Sequence, residues 1–176
     1  MDQTVISDKT DFAEGVKSFS ELKGTLHFHK KNGAKIVLCH GVFDLLHVGH
    51  IRHMKKAKAQ GDILVVTVTP DRYVNKGPNR PAFGELLRAE AISALKFVDY
   101  VAINQWPNAV ETIKALRPDV YSKGKDYIDP SQDKTGGIIL EKDAVELTKQ
   151  YLGNVPYVRE VESLFKEAST SESVLA

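Results

Sequence analysis

Short apolar runs alternate along this chain with longer stretches in which apolar residues recur every three or four positions. Ile36–His40 and Ile63–Thr69 are continuous enough to be strands buried on both faces. Tyr100–Ile103 and Asp119–Ser122 read as two further strands, and 155–161 alternates like a strand at a sheet edge. Between them lie helices. The first has Leu22 and Leu26 on its apolar face, opens at Ser18-Phe19-Ser20-Glu21 with a capping-box pair, and stops at Asn32-Gly33. The next runs from about Val48 to Gln60 and ends at Gly61-Asp62. From Gly84 to Phe97, Leu87, Ala91, Leu95 and Val98 recur at helical spacing and define the expected buried face. Pro107 opens another helix, which stops before Arg117-Pro118 because a residue preceding proline is pushed out of the helical region. A last helix spans about 137–152. Strand and helix in alternation predict an α/β fold: a Rossmann-like, doubly wound, parallel five-stranded sheet with helices on both faces. Ligands of such sheets bind beyond the carboxyl ends of the strands.

At 176 residues, the chain fits one domain. The expected division is a flexible N-terminal segment at 1–17, a folded domain at 18–162 and an atypical C-terminal segment at 163–176. A formal net charge of +1 gives no field to attract nucleic acid or an acidic membrane, so any anion must meet a local site. No secretory h-region or membrane-length apolar run is present, and a cytoplasmic protein is expected. The single cysteine, Cys39, lies in an apolar run and reads as a buried structural thiol. Pro70 to Phe83 carries three prolines, a glycine and two asparagines, making a loop long enough to suggest a function.

The chemistry concentrates where the first long strand ends, at Gly41-Val42-Phe43-Asp44-Leu45-Leu46-His47-Val48-Gly49-His50. Gly41 permits a tight turn and Phe43 packs it on the core. His47 and His50, three apart, project to one side of a helix's first turn, and Gly49 leaves the space between them open. Free amides and the helix dipole point the same way, so the segment forms a phosphate cradle without a P-loop lysine. A zinc site built from His40, His47, His50 and His53 has no cysteine or acidic ligand at suitable spacing, and no metal ligands are assigned. Neither the Gly-x-Gly-x-x-Gly nor the Walker pattern occurs. The plain alternative is that both histidines are surface or helix-cap residues.

The segment resembles the His-x-Gly-His motif of the cytidylyltransferase-like nucleotidyltransferases. From Ile36 to Tyr127 the chain is similar to the adenylyltransferase domain of bifunctional ADP-heptose synthases, and it also resembles glycerol-3-phosphate cytidylyltransferase. The resemblance implies transfer of AMP or CMP from a nucleoside triphosphate to a phosphorylated sugar, polyol or similar small molecule, with release of pyrophosphate. His47 and His50 would hold the triphosphate, assisted by backbone near Gly41, Val42 and Phe43, while Asp44 shapes the turn. Lys76 and Arg88 would reach the phosphates or the acceptor, with Arg80 a weaker candidate. Lys123, Gly124 and Asp126 match a segment bordering base and ribose. Ser169 and Thr170 stand where the family binds the β- and γ-phosphates at a last helix, although only five residues follow Ser171. Mg²⁺ is expected with the triphosphate, and a homodimer and a sugar-kinase partner or fused domain are implied. The alternative function is a catalytically weak nucleotide-binding regulatory module. The choice between ATP and CTP stays open.

Overall fold

A computed structural model describes residues 15–123. In chain order these form β1 (Val16–Lys17), α1 (Phe19–Lys31), β2 (Ile36–Gly41), α2 (Val48–Lys58), β3 (Ile63–Val68), a 3₁₀ turn at Asp71–Tyr73, α3 (Glu85–Ser93), β4 (Tyr100–Ile103), α4 (Val110–Leu116) and β5 (Val120–Ser122). All strand pairs are parallel, in the order β1-β4-β3-β2-β5. The five-stranded parallel architecture expected from the pattern is therefore present, with one strand from a different place. The helix expected at 137–152, the strand at 155–161 and the segment 163–176 lie outside the described residues. The fifth strand is β1, paired with β4 through Val16↔Val101 and Lys17↔Ala102. The segment expected to be flexible to residue 17 thus gives way to strand at Val16.

Side-chain alternation along buried strands divides the core into two layers. Ile36, Leu38, Val65, Ala102 and Tyr121 pack with Leu22 and Leu26 of α1 and Ile113 and Leu116 of α4. Val37, Cys39, Leu64, Val66 and Val101 pack with Met54 and Ala57 of α2 and Ala89 and Ile92 of α3. Helices therefore cover both faces. At α1 the capping box forms as its sequence predicts: Glu21 donates its N–H to Ser18 Oγ at 3.2 Å, and Ser18 donates its own to Glu21 Oε2 at 3.0 Å.

Two helices depart from the expected pattern. α3 buries Arg88, Ala89 and Ile92, whereas Leu86 and Leu87 are 48% and 56% exposed, so the expected face through Leu87 and Ala91 is rotated outward. The cause is tertiary: a buried guanidinium on this helix outweighs the apolar spacing. α4 begins at Val110 and not at Pro107, because the Asn104 side chain donates to the carbonyls of Trp106 and Asn108 and Asn108 Oδ1 accepts from Val110 N–H. These bonds hold 104–109 as a separate turn.

The amino edge of the sheet is fastened by aspartates. Asp99 accepts from Leu64 N–H and Lys58 Nζ, both at 2.6 Å, Asp119 from Ile36 N–H at 2.7 Å and Asp62 from Lys35 N–H at 2.8 Å. At the carboxyl edge the chain changes direction about β2, whose neighbours are β3 on one side and β5 on the other. That switch point is where an open α/β sheet leaves a crevice. Among the described residues no helix is long and apolar enough to cross a membrane.

Candidate functional site

The turn leaving β2 is tightly held. Gly41 accepts from Thr69 N–H at 2.9 Å, locking the ends of β2 and β3 together. Two residues on, Phe43 has φ +49°, a left-handed conformation that costs a non-glycine residue about 1–2 kcal/mol. Its ring is buried in the core and lies over Gly41, where a Cβ would come within 3.0 Å of Phe43 Cζ. Glycine at 41 is thus what lets the ring fold back and hold the strained turn.

His47 follows as the N-cap of α2, with extended backbone and its Nδ1 accepting from Gly49 N–H at 3.1 Å. A ring nitrogen that accepts carries no proton, so the neutral His47 ring has its hydrogen on Nε2, the nitrogen turned away from the helix. His50 stacks on His47 with ring centroids 3.8 Å apart and meets Phe43 edge-on at 5.3 Å. His50 Nδ1 is buried without a hydrogen-bond partner. Burial pushes the His50 pKa below its ordinary value, and His47, Lys76 and His53 push it further, opposed by the Leu45 backbone. His50 therefore stays neutral at lower pH than a free histidine. The Lys76 charge that contributes to this shift comes from the proline-rich loop, where Lys76 is exposed.

Asp44 organises the loop opposite. It is 6% exposed and accepts from Arg80 Nη1 at 2.7 Å and from Ala82 N–H at 2.5 Å. Burial pushes its carboxyl up, but the Arg80 guanidinium and the amides of Ala82 and Phe83 outweigh that and hold it below the usual carboxylate range. Asp44 thus ties the turn to the loop, with Arg80 as its charged partner. Arg88 corrects the expectation. Read as facing a phosphate, it is 2% exposed and donates to Phe83 O, Val42 O, Thr69 O and Asp71 Oδ1. A guanidinium buried this deeply is tolerable only when so satisfied, and those bonds turn it away from any ligand.

His40, weighed in the sequence only as a zinc ligand, completes the edge. His40, at the end of β2, pairs its Nδ1 with Thr67 Oγ1 at 2.9 Å and its Nε2 with Thr69 Oγ1 at 3.3 Å. Burial, then the Lys123 charge, push its pKa down to about 3, against the Thr67 backbone bond. This also places Lys123, just beyond β5, across the switch point from the end of β2. A histidine followed by Gly41 was the available signal, but its threonine partners lie on β3 and just beyond its end. Cys39 is buried 3.7 Å from His53 Nε2, and its thiol is pushed up to about 12, which fits the structural reading. Among the described residues no group of three or more His, Cys, Asp or Glu could hold a metal ion. Gly41, Val42, Phe43, Asp44, His47, Gly49 and His50 are thus gathered at one edge with Lys76 near. Gly124, Asp126, Ser169 and Thr170 lie outside the described residues.

Comparison with known proteins bears on this edge. Residues 38–172 match the family model described as cytidylyltransferase-like. The bifunctional protein HldE of Geobacter metallireducens is 39% identical over 145 residues, covering 81% of this chain and 28% of that protein. HldE of Campylobacter jejuni is 42% identical over 123 residues, 69% of this chain and 26% of the relative. The chain thus spans about a quarter of the length of the curated relatives it matches. Among solved structures, a lipopolysaccharide core biosynthesis protein from Thermoplasma volcanium is similar at 33% identity and TM-score 0.54, over 65% of this chain and 89% of that one. A pantoate-beta-alanine ligase from Francisella tularensis, at 16% identity and TM-score 0.57 over 83% of this chain and 66% of its own, shares the fold.

Proposed function

This chain belongs to the cytidylyltransferase-like family, and from that membership we propose that it is a nucleotidyltransferase. It transfers AMP or CMP from a nucleoside triphosphate to a phosphorylated sugar, polyol or similar small molecule and releases pyrophosphate. The observation that carries this reading is the stacked His47–His50 pair at the first turn of α2, beside the β2–β5 switch point.

A phosphate oxygen of the acceptor attacks the α-phosphorus in line. The new P–O bond forms as the bond to the β-phosphate oxygen breaks, and no enzyme-bound covalent intermediate is needed. His47 donates from Nε2 and the first-turn amides of Val48 and His50 add N–H donors, so charge gathering on the α-phosphate meets fixed dipoles. His50, stacked on His47, supplies the second imidazole of the pair. Lys76 neutralises the β- and γ-phosphates from the loop, and Lys123 borders the nucleotide at the opposite wall. Mg²⁺ enters as part of the substrate, carried by the triphosphate: among the described residues, Asp44 and Asp71 at this edge are already engaged by Arg80 and Arg88, and Glu85 by the Asp71 N–H.

The HldE resemblance makes ATP and a phosphorylated sugar the first pair to test. It also supports a sugar-kinase activity on a fused or separate partner, since these relatives are bifunctional and mostly unmatched by this chain. The purified chain is incubated with each triphosphate, Mg²⁺ and a panel of phosphorylated sugars and polyols, and pyrophosphate is followed. Turnover that falls by about a hundredfold to a thousandfold in His47→Ala, the loss typical of one transition-state donor, supports the reading. Triphosphate binding by calorimetry without turnover above that variant would favour a regulatory module instead.

A further inference from the structure

We infer that Arg88 is a positioning residue, which sets the direction of the Phe43 amide in the phosphate turn without touching substrate. The inference rests on the nucleotidyltransferase reading for its kinetic consequence, but its structural basis is independent. One guanidinium joins three segments that are separate in sequence: Val42 in the turn after β2, Thr69 and Asp71 after β3, and Phe83 at the end of the loop that carries Lys76. Nε donates to Phe83 O at 2.9 Å, Nη2 to Thr69 O at 2.8 Å and to Asp71 Oδ1 at 2.6 Å, and Nη1 to Val42 O.

The bond to Val42 decides the chemistry. In a trans peptide the carbonyl and the following N–H point to opposite sides of one plane. Drawing the Val42 carbonyl in toward Arg88 therefore turns the Phe43 N–H outward, to the side from which a phosphate approaches. Phe43 is also the left-handed residue of the turn, a conformation that persists only when its surroundings over-determine it. Its ring against Gly41 fixes one side and Arg88 fixes the other. Without the guanidinium the Val42–Phe43 peptide is free to rotate, and an amide donor is lost while both histidines remain. Lysine cannot substitute, because its donors share one nitrogen and cannot span the forked set of acceptors.

The test compares wild type, Arg88→Lys and Asp71→Asn, the second variant loosening the guanidinium from its solvent side with Arg88 retained. Amide NMR of the free proteins reads the Phe43 N–H, and steady-state kinetics with the working substrate pair read its consequence. For Arg88→Lys we expect a displaced Phe43 resonance and a kcat about a hundredfold lower, with both KM values within about threefold. Asp71→Asn shifts the Phe43 resonance the same way and lowers kcat about tenfold, a smaller loss because three carbonyl bonds survive. A Phe43 signal unchanged in both variants would overturn the inference. So would a raised triphosphate KM at unchanged kcat, the mark of direct phosphate contact. If Arg88→Lys does not fold, Asp71→Asn decides. If wild type turns over no substrate pair, the function reading falls and the Phe43 resonance alone decides the role of Arg88.

Discussion

Asp44 and Arg80 are 36 residues apart in sequence, yet Arg80 Nη1 lies 2.7 Å from Asp44 Oδ2 and clasps the proline-rich loop to the phosphate turn. The two are unequal partners: Asp44 is buried and also accepts the Ala82 amide, whereas the Arg80 side chain is 41% exposed. Asp44→Ala should lower kcat/KM by about a hundredfold through misplacement of the loop, and Arg80→Ala by much less. The double variant should be no worse than Asp44→Ala alone. Equal single effects that add in the double variant would show that the pair does not act as one clasp.

Gly49→Ala separates activity from stability. A Cβ there would lie 2.8 Å from His47 Cε1 and 2.9 Å from Nδ1, so the ring must swing off its cap and off His50. A helical Gly→Ala change otherwise favours the helix by up to about 1 kcal/mol. The melting temperature should hold within a few degrees while kcat falls by about tenfold to a hundredfold. A fully active Gly49→Ala protein would mean that the placement of the His47 ring is unimportant.

Acid should destabilise the fold well above the range in which carboxylates titrate. His40 is held near 3 in the folded chain, and the unfolded chain takes up that proton near the ordinary histidine value of about 6.5. Between those values the unfolded state binds more protons, so stability is complete above about pH 6.5 and is lost as pH falls toward 3. One such proton gives a slope of at most about 1.4 kcal/mol per pH unit. His50 and His53, both pushed down mainly by burial, act in the same direction. Urea unfolding at pH 7, 6 and 5 should show a falling midpoint that flattens in His40→Gln. A midpoint that rises on acidification would contradict the assignment.

What the sequence revealed and what it hid divide by distance along the chain. His47 and His50 were legible because three residues of helix bring two side chains onto one side, whatever the rest of the protein does. The capping box of α1 is equally local. Arg88 was not legible as a strut, since its acceptors stand 5, 17, 19 and 46 positions away and no periodicity encodes such a set. The same buried charge explains why the face of α3 was misread. β1 escaped because two residues are too few to show alternation, and only pairing with Val101 and Ala102 makes them a strand. His40 could be weighed in the sequence only as a zinc ligand, because its partners Thr67 and Thr69 lie 27 and 29 positions away.

The rotated face of α3 has a further outcome. Phe83, Leu86 and Leu87 are about half exposed, as are Leu45 and Val48 around the turn that Asp44 ties to this loop. We propose that a second copy of the chain covers them, in keeping with the dimer implied by the family resemblance. Light scattering should give the mass of two chains at micromolar concentration, and Leu87→Lys should shift it to one. A monomeric wild type would dispose of the dimer.

The aspartates that fasten the strand starts lie at the opposite edge of the sheet from the histidines and their loops. Anchorage and chemistry therefore draw on different residues. Loops at the carboxyl edge can change length and sequence while Asp62, Asp99 and Asp119 keep the strands in place. Such an arrangement leaves that edge open to change on a platform that need not be rebuilt each time.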